Sequence, residues 1–147
     1  MNRLQPRIPT ASALGVCQHS DAVNEFSTLK GRDIRVLFVG HTHDAKAFLL
    51  DADGNVDINF IDVSNEEPIR LANYNAAIIN VGSCGYPRVQ PYSIYCIYDD
   101  EEHTATHRIL PFPFSDYEEK IKKAGIQVPL WLGTQYQMAE RNPIQWR

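Results

Sequence analysis

The sequence lacks a concentration of positive charge and any long apolar run. It carries 14 Lys and Arg against 18 Asp and Glu, for a net charge of −4. A nucleic-acid interface needs a basic patch, so the composition predicts no nucleic-acid binding. No apolar stretch approaches the roughly 18 residues that cross a bilayer, and the first residues lack the apolar core of a signal peptide. These absences predict a cytoplasmic protein without membrane contact.

Cysteine is also scarce, because only Cys17, Cys84 and Cys96 occur and none forms a C-x-x-C pair. This excludes a disulfide scaffold and a cysteine-based zinc module, and it predicts thiols packed as small hydrophobes in a reducing compartment. The chain has 147 residues, of which 44% are hydrophobic. That length and composition suit one domain with its own core.

Apolar runs alternate with turn signals and predict an α/β fold that is α+β in appearance, with at least five strands. Two helices are expected over 21–30, from Asp21 to a C-cap at Gly31, and over 115–124, from a Ser115 capping box to Gly125. The Asp53-Gly54 pair predicts a hairpin. Residues 1–20 are expected to be a poorly ordered leader and 133–147 a tail. The predicted strands are 34–39, about 47–52, 56–62, 73–81, 92–98 and 103–110.

The most informative motif, Gly40-His41-Thr42-His43, directly follows a buried strand. Two histidines two residues apart share one face of an extended chain, and imidazole is a common metal ligand. The alternative is a surface pair in a turn. His19 is a further candidate ligand, or an exposed residue in the leader. Asp44 is expected to point elsewhere, and His103 and His107 to face solvent on one strand.

A second segment, Asn80 to Arg88, contains two glycines three residues apart with a serine between them. The backbone amides of such a loop can point at an anion, and Arg88 could contact a phosphate with its forked guanidinium. Asn80 and Ser83 offer side-chain hydrogen bonds that could hold the loop beside the histidines. The alternative is an ordinary turn that ends a strand. Cys84 has no identified base, so no nucleophile is assigned.

Together, G-H-T-H and N-x-G-S-x-G-x-P-R resemble the carboxyl-terminal part of calcineurin-like metallophosphoesterases, closest to the YfcE-like phosphodiesterase subgroup. The resemblance implies the carboxyl-terminal half of an α/β/β/α sandwich, mainly β hairpins plus one or two helices, with a partial domain over 21–132. It implies phosphodiester hydrolysis by two divalent metals of the Mn, Fe, Zn or Ni class, one bound by each of His41 and His43. It also implies that further residues shape this site or contact substrate: Gly40, Asn80, Gly82, Ser83 and Arg88.

The sequence departs from the family because the D-x-H, G-D-x-x-D and G-N-H blocks of its amino-terminal half are absent. The bridging carboxylate is therefore missing, no catalytic residue is assigned, and the chain is expected to be inactive alone. Three hypotheses remain: half of an enzyme completed by a separate amino-terminal half, a non-catalytic remnant or interaction module, or a mis-assigned gene start. The exposed sheet of a half domain also predicts self-association. A phosphoester substrate is expected only for a completed site.

Overall fold

The computed structural model describes residues 18–60, 66–85, 92–112 and 114–127, which form two helices and two sheets. This mixed architecture confirms the predicted α/β class. Most of the predicted leader, the predicted tail and Arg88 lie outside the described residues. In chain order the elements are α1 (His19–Lys30), β1 (Val36–Val39), β2 (Lys46–Leu50), β3 (Val56–Phe60), β4 (Ile69–Arg70), a 3-10 turn (Leu71–Asn73), β5 (Ala76–Asn80), β6 (Tyr92–Asp99), β7 (Thr104–Pro111) and α2 (Phe114–Lys123).

The first sheet has the strand order β1-β5-β2-β3, and the second has the order β4-β7-β6. β1 and β5 run parallel, and their last residues, Val39 and Asn80, are partners in the register. The hairpin predicted at Asp53-Gly54 is confirmed, since β2 and β3 pair antiparallel across it. The predicted strands 92–98 and 103–110 are also present, and they pair antiparallel as β6 and β7. β4 was not predicted, because two residues are too few to show a period.

Each face of the first sheet is covered by a different part of the chain. On one face, α1 buries Phe26 and Leu29 against Phe48 and Ile78 of the sheet. On the other face, a cluster that includes Leu49 and the residues Ala77, Ile79 and Ala105 joins the two sheets. The core therefore has two layers, one under α1 and one between the sheets. Neither helix of the described residues has the length and apolarity needed to span a bilayer.

Both helices begin earlier than predicted. α1 begins at His19, and Asp21 lies in its first turn, where the carboxylate accepts a hydrogen bond of 2.9 Å from the Gln18 amide. α2 already includes Phe114, so Ser115 is not its N-cap. A helix starts at the first residue that adopts the helical conformation, and capping residue types alone do not specify which residue that is. The predicted helix ends at Gly31 and Gly125 are confirmed.

Candidate functional site

The residues after β1 form a tight turn, which we call the histidine turn (Gly40–His43). The Thr42 amide donates to the Gly40 carbonyl over 2.9 Å, and the residue between them, His41, has a φ of 72°. These features define a γ-turn of the rare, strained kind. His43 also has a positive φ, of 61°. Residues other than glycine rarely adopt this left-handed region, and such backbone strain typically costs about 1–3 kcal/mol per residue.

This backbone differs from the extended chain assumed in the sequence analysis. Alternation of side chains between two faces applies to extended residues, and both His41 and His43 are in the left-handed region. The two histidines therefore owe their positions to the turn itself and to the residues that hold it. His41 is exposed and His43 is half-buried.

Asn80, the last residue of β5, holds the histidine turn from the neighbouring strand. Its side chain is fully buried and donates through Nδ2 to the Thr42 hydroxyl. Its Oδ1 accepts a hydrogen bond of 3.1 Å from the Gly82 amide. One buried amide side chain thus joins the histidine turn to the loop that follows β5.

Ser83 makes the second contact between this loop and the turn. Its hydroxyl lies 3.0 Å from Nδ1 of His43. Its carbonyl accepts a hydrogen bond of 2.9 Å from the Ile94 amide of β6. Both side-chain hydrogen bonds expected of Asn80 and Ser83 are therefore present, and the second sheet holds the loop from the other side.

Gly82 is required by the close approach of the loop to β6. Its φ is +81°, and a Cβ built on it would lie 2.9 Å from Cβ of Ile94 and 3.1 Å from Cβ of Ala45. No side chain fits there without movement of backbone-attached atoms. Gly40, by contrast, has open space where its Cβ would be.

Asp44 and Lys46 form an ion pair beside the turn, which the sequence analysis did not predict. Nζ of Lys46 lies 2.8 Å from Oδ2 of Asp44, and the lysine is only 7% exposed. Lys46 is the register partner of Asn80, so the pair lies at the same end of the first sheet as the histidine turn. The Asp44 carboxylate points at this ammonium.

The prediction that His103 and His107 face solvent on one strand is wrong. His103 lies in the turn before β7 and is exposed, whereas His107 is 4% exposed and contacts the Asn80 carbonyl over 2.8 Å. Burial lowers the pKa of His107, against a smaller opposite effect of that hydrogen bond. The available signal was the alternation on β7, since His107 shares a face with Ala105 and Ile109, which are both buried.

His19, the third candidate ligand, is not brought to the histidine turn. Nε2 of His19 lies 3.0 Å from the carbonyl of Val56, the first residue of β3. Val56 is level with Leu50, at the opposite end of the first sheet from Asn80. The predicted role of Arg88 concerns a residue outside the described part of the chain.

The described residues do not provide a complete set of metal ligands. Within residues 18–60, 66–85, 92–112 and 114–127, no three His, Cys, Asp or Glu side chains lie together in a way that could hold a metal ion. A catalytic zinc has about three protein ligands, and a two-metal centre needs more. His41 and His43 would supply part of such a shell, and the described residues do not complete it.

Comparison with solved structures identifies the fold. No protein-family model and no curated protein matches this chain. The crystal structure of a metallophosphoesterase from Sphaerobacter thermophilus is similar to it, with a TM-score of 0.64 and 25% sequence identity over 79% of this chain and 45% of that chain. The chain has a metallophosphoesterase-like fold. It spans less than half the length of the Sphaerobacter protein.

The metallophosphoesterase-like fold confirms the resemblance inferred from the two motifs at the level of the family. The name of the neighbour denotes a phosphoester hydrolase that depends on a metal ion, and divalent metals belong to the chemistry of that family. The YfcE-like subgroup stays a prediction.

Proposed function

We propose that this chain supplies the histidine-bearing half of a metal-dependent phosphodiesterase. The observation that carries the proposal is the histidine turn, a strained segment held by Asn80 and Ser83 in a metallophosphoesterase-like fold. In this proposal His41 and His43 bind divalent metal of the Mn, Fe, Zn or Ni class. Gly40 and Gly82 shape the backbone around them, and Arg88 contacts substrate.

The same proposal makes the chain inactive by itself. A two-metal phosphoesterase places the ions so that both the attacking and the leaving oxygen are stabilised, and this requires carboxylates that bridge or orient the metals. The sequence lacks the D-x-H and G-D-x-x-D blocks that supply them in the family. We therefore place these ligands on a separate amino-terminal half.

We expect the purified chain with Mn²⁺ to show no hydrolysis of bis(p-nitrophenyl) phosphate above the buffer rate. The reason is that two imidazoles leave most of each metal shell to water. The same chain should bind Ni²⁺ in calorimetry, and His41→Ala and His43→Ala should each weaken that binding at least about tenfold, since each removes one of the two proposed ligands. His103→Ala, which removes an exposed histidine elsewhere, is the matched control. Mn²⁺-dependent turnover that His41→Ala abolishes would contradict inactivity.

A non-catalytic interaction module is the second candidate, and the incomplete donor set among the described residues favours it. The two candidates differ in metal binding. A module that has lost the chemistry would show the same Ni²⁺ affinity in the wild type, in His41→Ala and in His43→Ala.

The edge of the first sheet is the surface through which we propose that the chain associates. β1 lies at that edge, and among the described residues its only strand partner is β5. Phe38 on β1 is 41% exposed, and Phe60 on β3, at the other edge, is 68% exposed. An open edge with apolar side chains favours pairing with a further strand, either of a separate amino-terminal half or of a second copy.

For the chain alone, size-exclusion chromatography with light scattering should show dimers or larger species. Phe38→Lys should shift the population toward monomer, because a lysine on an edge strand opposes pairing. Val23→Lys is the control for an added surface charge, since Val23 is 42% exposed and lies on α1 and not on an edge strand. A compact monomer for the wild type would refute this expectation.

A further inference from the structure

His107 connects the second sheet to the histidine turn through Asn80. It lies on the inward face of β7, and its Nε2 is 2.8 Å from the Asn80 carbonyl. A carbonyl can only accept, so Nε2 carries the proton. Nδ1 is buried and has no hydrogen-bond partner among the described residues. Of the two ring nitrogens, only Nε2 therefore makes a hydrogen bond within the described residues, to the backbone of Asn80.

The side chain of Asn80 in turn holds two segments, the histidine turn and the loop after β5. Its Nδ2 donates to the hydroxyl of Thr42, between His41 and His43, and its Oδ1 accepts from the Gly82 amide. The path from β7 to the centre of the histidine turn thus consists of two hydrogen bonds through a single residue. Both bonds are shielded, since Asn80 and His107 are 0% and 4% exposed.

Burying the imidazole of His107 costs more free energy than burying an apolar side chain that only fills space. A buried ring nitrogen without a partner loses its hydration, which typically costs about 1–3 kcal/mol, and an apolar side chain would avoid that cost. Local violations of this kind concentrate where a site has to be held. The neighbours on the same face, Ala105 and Ile109, are apolar, so the polar side chain stands out on β7.

We propose that His107 is a positioning residue for the histidine turn, which it holds by fixing Asn80 from the second sheet. The proposal deepens the proposed function and rests on it for its purpose, because the held side chains are the proposed metal ligands His41 and His43. The hydrogen-bond path itself needs no metal, so it can be tested on the metal-free chain.

The test compares His107→Gln, whose amide nitrogen reaches about as far as Nε2 and can donate, with His107→Met, which has no donor. Hydrogen exchange of the Gly82 amide is followed by NMR in the full chain without metal. We expect exchange about tenfold faster in His107→Met, because the Asn80 acceptor loosens locally, and close to the wild-type rate in His107→Gln. Leu71→Ala is the control for general destabilisation, since Leu71 is buried beside the first residues of β7 and belongs to neither hydrogen bond of the path.

Ni²⁺ affinity, measured by calorimetry with the metal alone, gives the second readout. Loss of a partner that orients a metal ligand typically costs about 10–100-fold in affinity, so His107→Met should lose at least about tenfold and His107→Gln should retain most of the affinity. The proposal would be overturned if His107→Gln and His107→Met showed the same Gly82 exchange rate and the same Ni²⁺ affinity. It would also be overturned if the Gly82 exchange rate rose equally in Leu71→Ala. If the wild type binds no Ni²⁺ but the Gly82 exchange follows the expected order, the positioning role stands and the proposed function fails.

Discussion

Replacing Gly82 by alanine should cost about 2–5 kcal/mol of unfolding free energy. A left-handed φ costs a residue with a Cβ about 1–2 kcal/mol. The new Cβ would also lie 2.9 Å from Cβ of Ile94 and 3.1 Å from Cβ of Ala45, and overpacking of this kind typically costs about 1–3 kcal/mol more. Urea unfolding followed by circular dichroism measures the difference.

Gly54→Ala separates the two contributions. Gly54 has a φ of +89° with open space around its Cβ position, so only the backbone cost of about 1–2 kcal/mol applies. Equal losses for Gly54→Ala and Gly82→Ala would mean that β6 moves away without cost. The loop that carries Ser83 would then be much less closely held than the structure indicates.

Asn80→Ala should have the second largest effect, a loss of about 2–4 kcal/mol. The substitution leaves the Gly82 amide without its acceptor and the Thr42 hydroxyl without its donor, in a fully buried position. It also removes side-chain volume from the core. Because Thr42 stands between the two histidines, we expect Ni²⁺ affinity to fall about tenfold as well.

Asn75→Ala is the matched control for Asn80→Ala. Asn75 also uses Nδ2 to hold a neighbouring segment, the Asp51 carbonyl at 3.0 Å, but it is exposed. Water can replace that bond, so we expect a loss below about 1 kcal/mol and unchanged Ni²⁺ binding. A loss for Asn80→Ala no larger than this would contradict the role of the buried amide.

Local signals were sufficient for most of the secondary structure. The apolar run at the centre of β5 predicts a buried strand from its own residues, and the Asp53-Gly54 pair predicts a hairpin turn in the same way. β4 has no such signal, because its two residues are ordered by pairing with Ala105 and Thr104 of β7. The starts of both helices differed for a related reason, since several adjacent residues can serve as caps.

The sequence predicted which residues form the candidate site better than it predicted their geometry. G-H-T-H and the Asn80 to Ser83 segment were identified from the sequence, and the structure joins them by hydrogen bonds. The positive φ of His41 was not predictable from the sequence, because Thr42, which closes the turn, is also held by Asn80 from another strand. His107 was missed because its polarity was weighted above the alternation that places it on the same face of β7 as Ala105 and Ile109.

The parallel pairing of β1 and β5 affects the order in which the chain folds during synthesis. His43 and its partner Ser83 are 40 residues apart, whereas β2 and β3 are joined by a short turn. The β2–β3 hairpin can therefore close early, while contacts of long sequence separation form late because a large loop must first be closed. On the ribosome, the histidine turn has none of its restraints from Asn80 or Ser83 until those residues have emerged. The segment that bears the proposed ligands is made early and acquires its shape late.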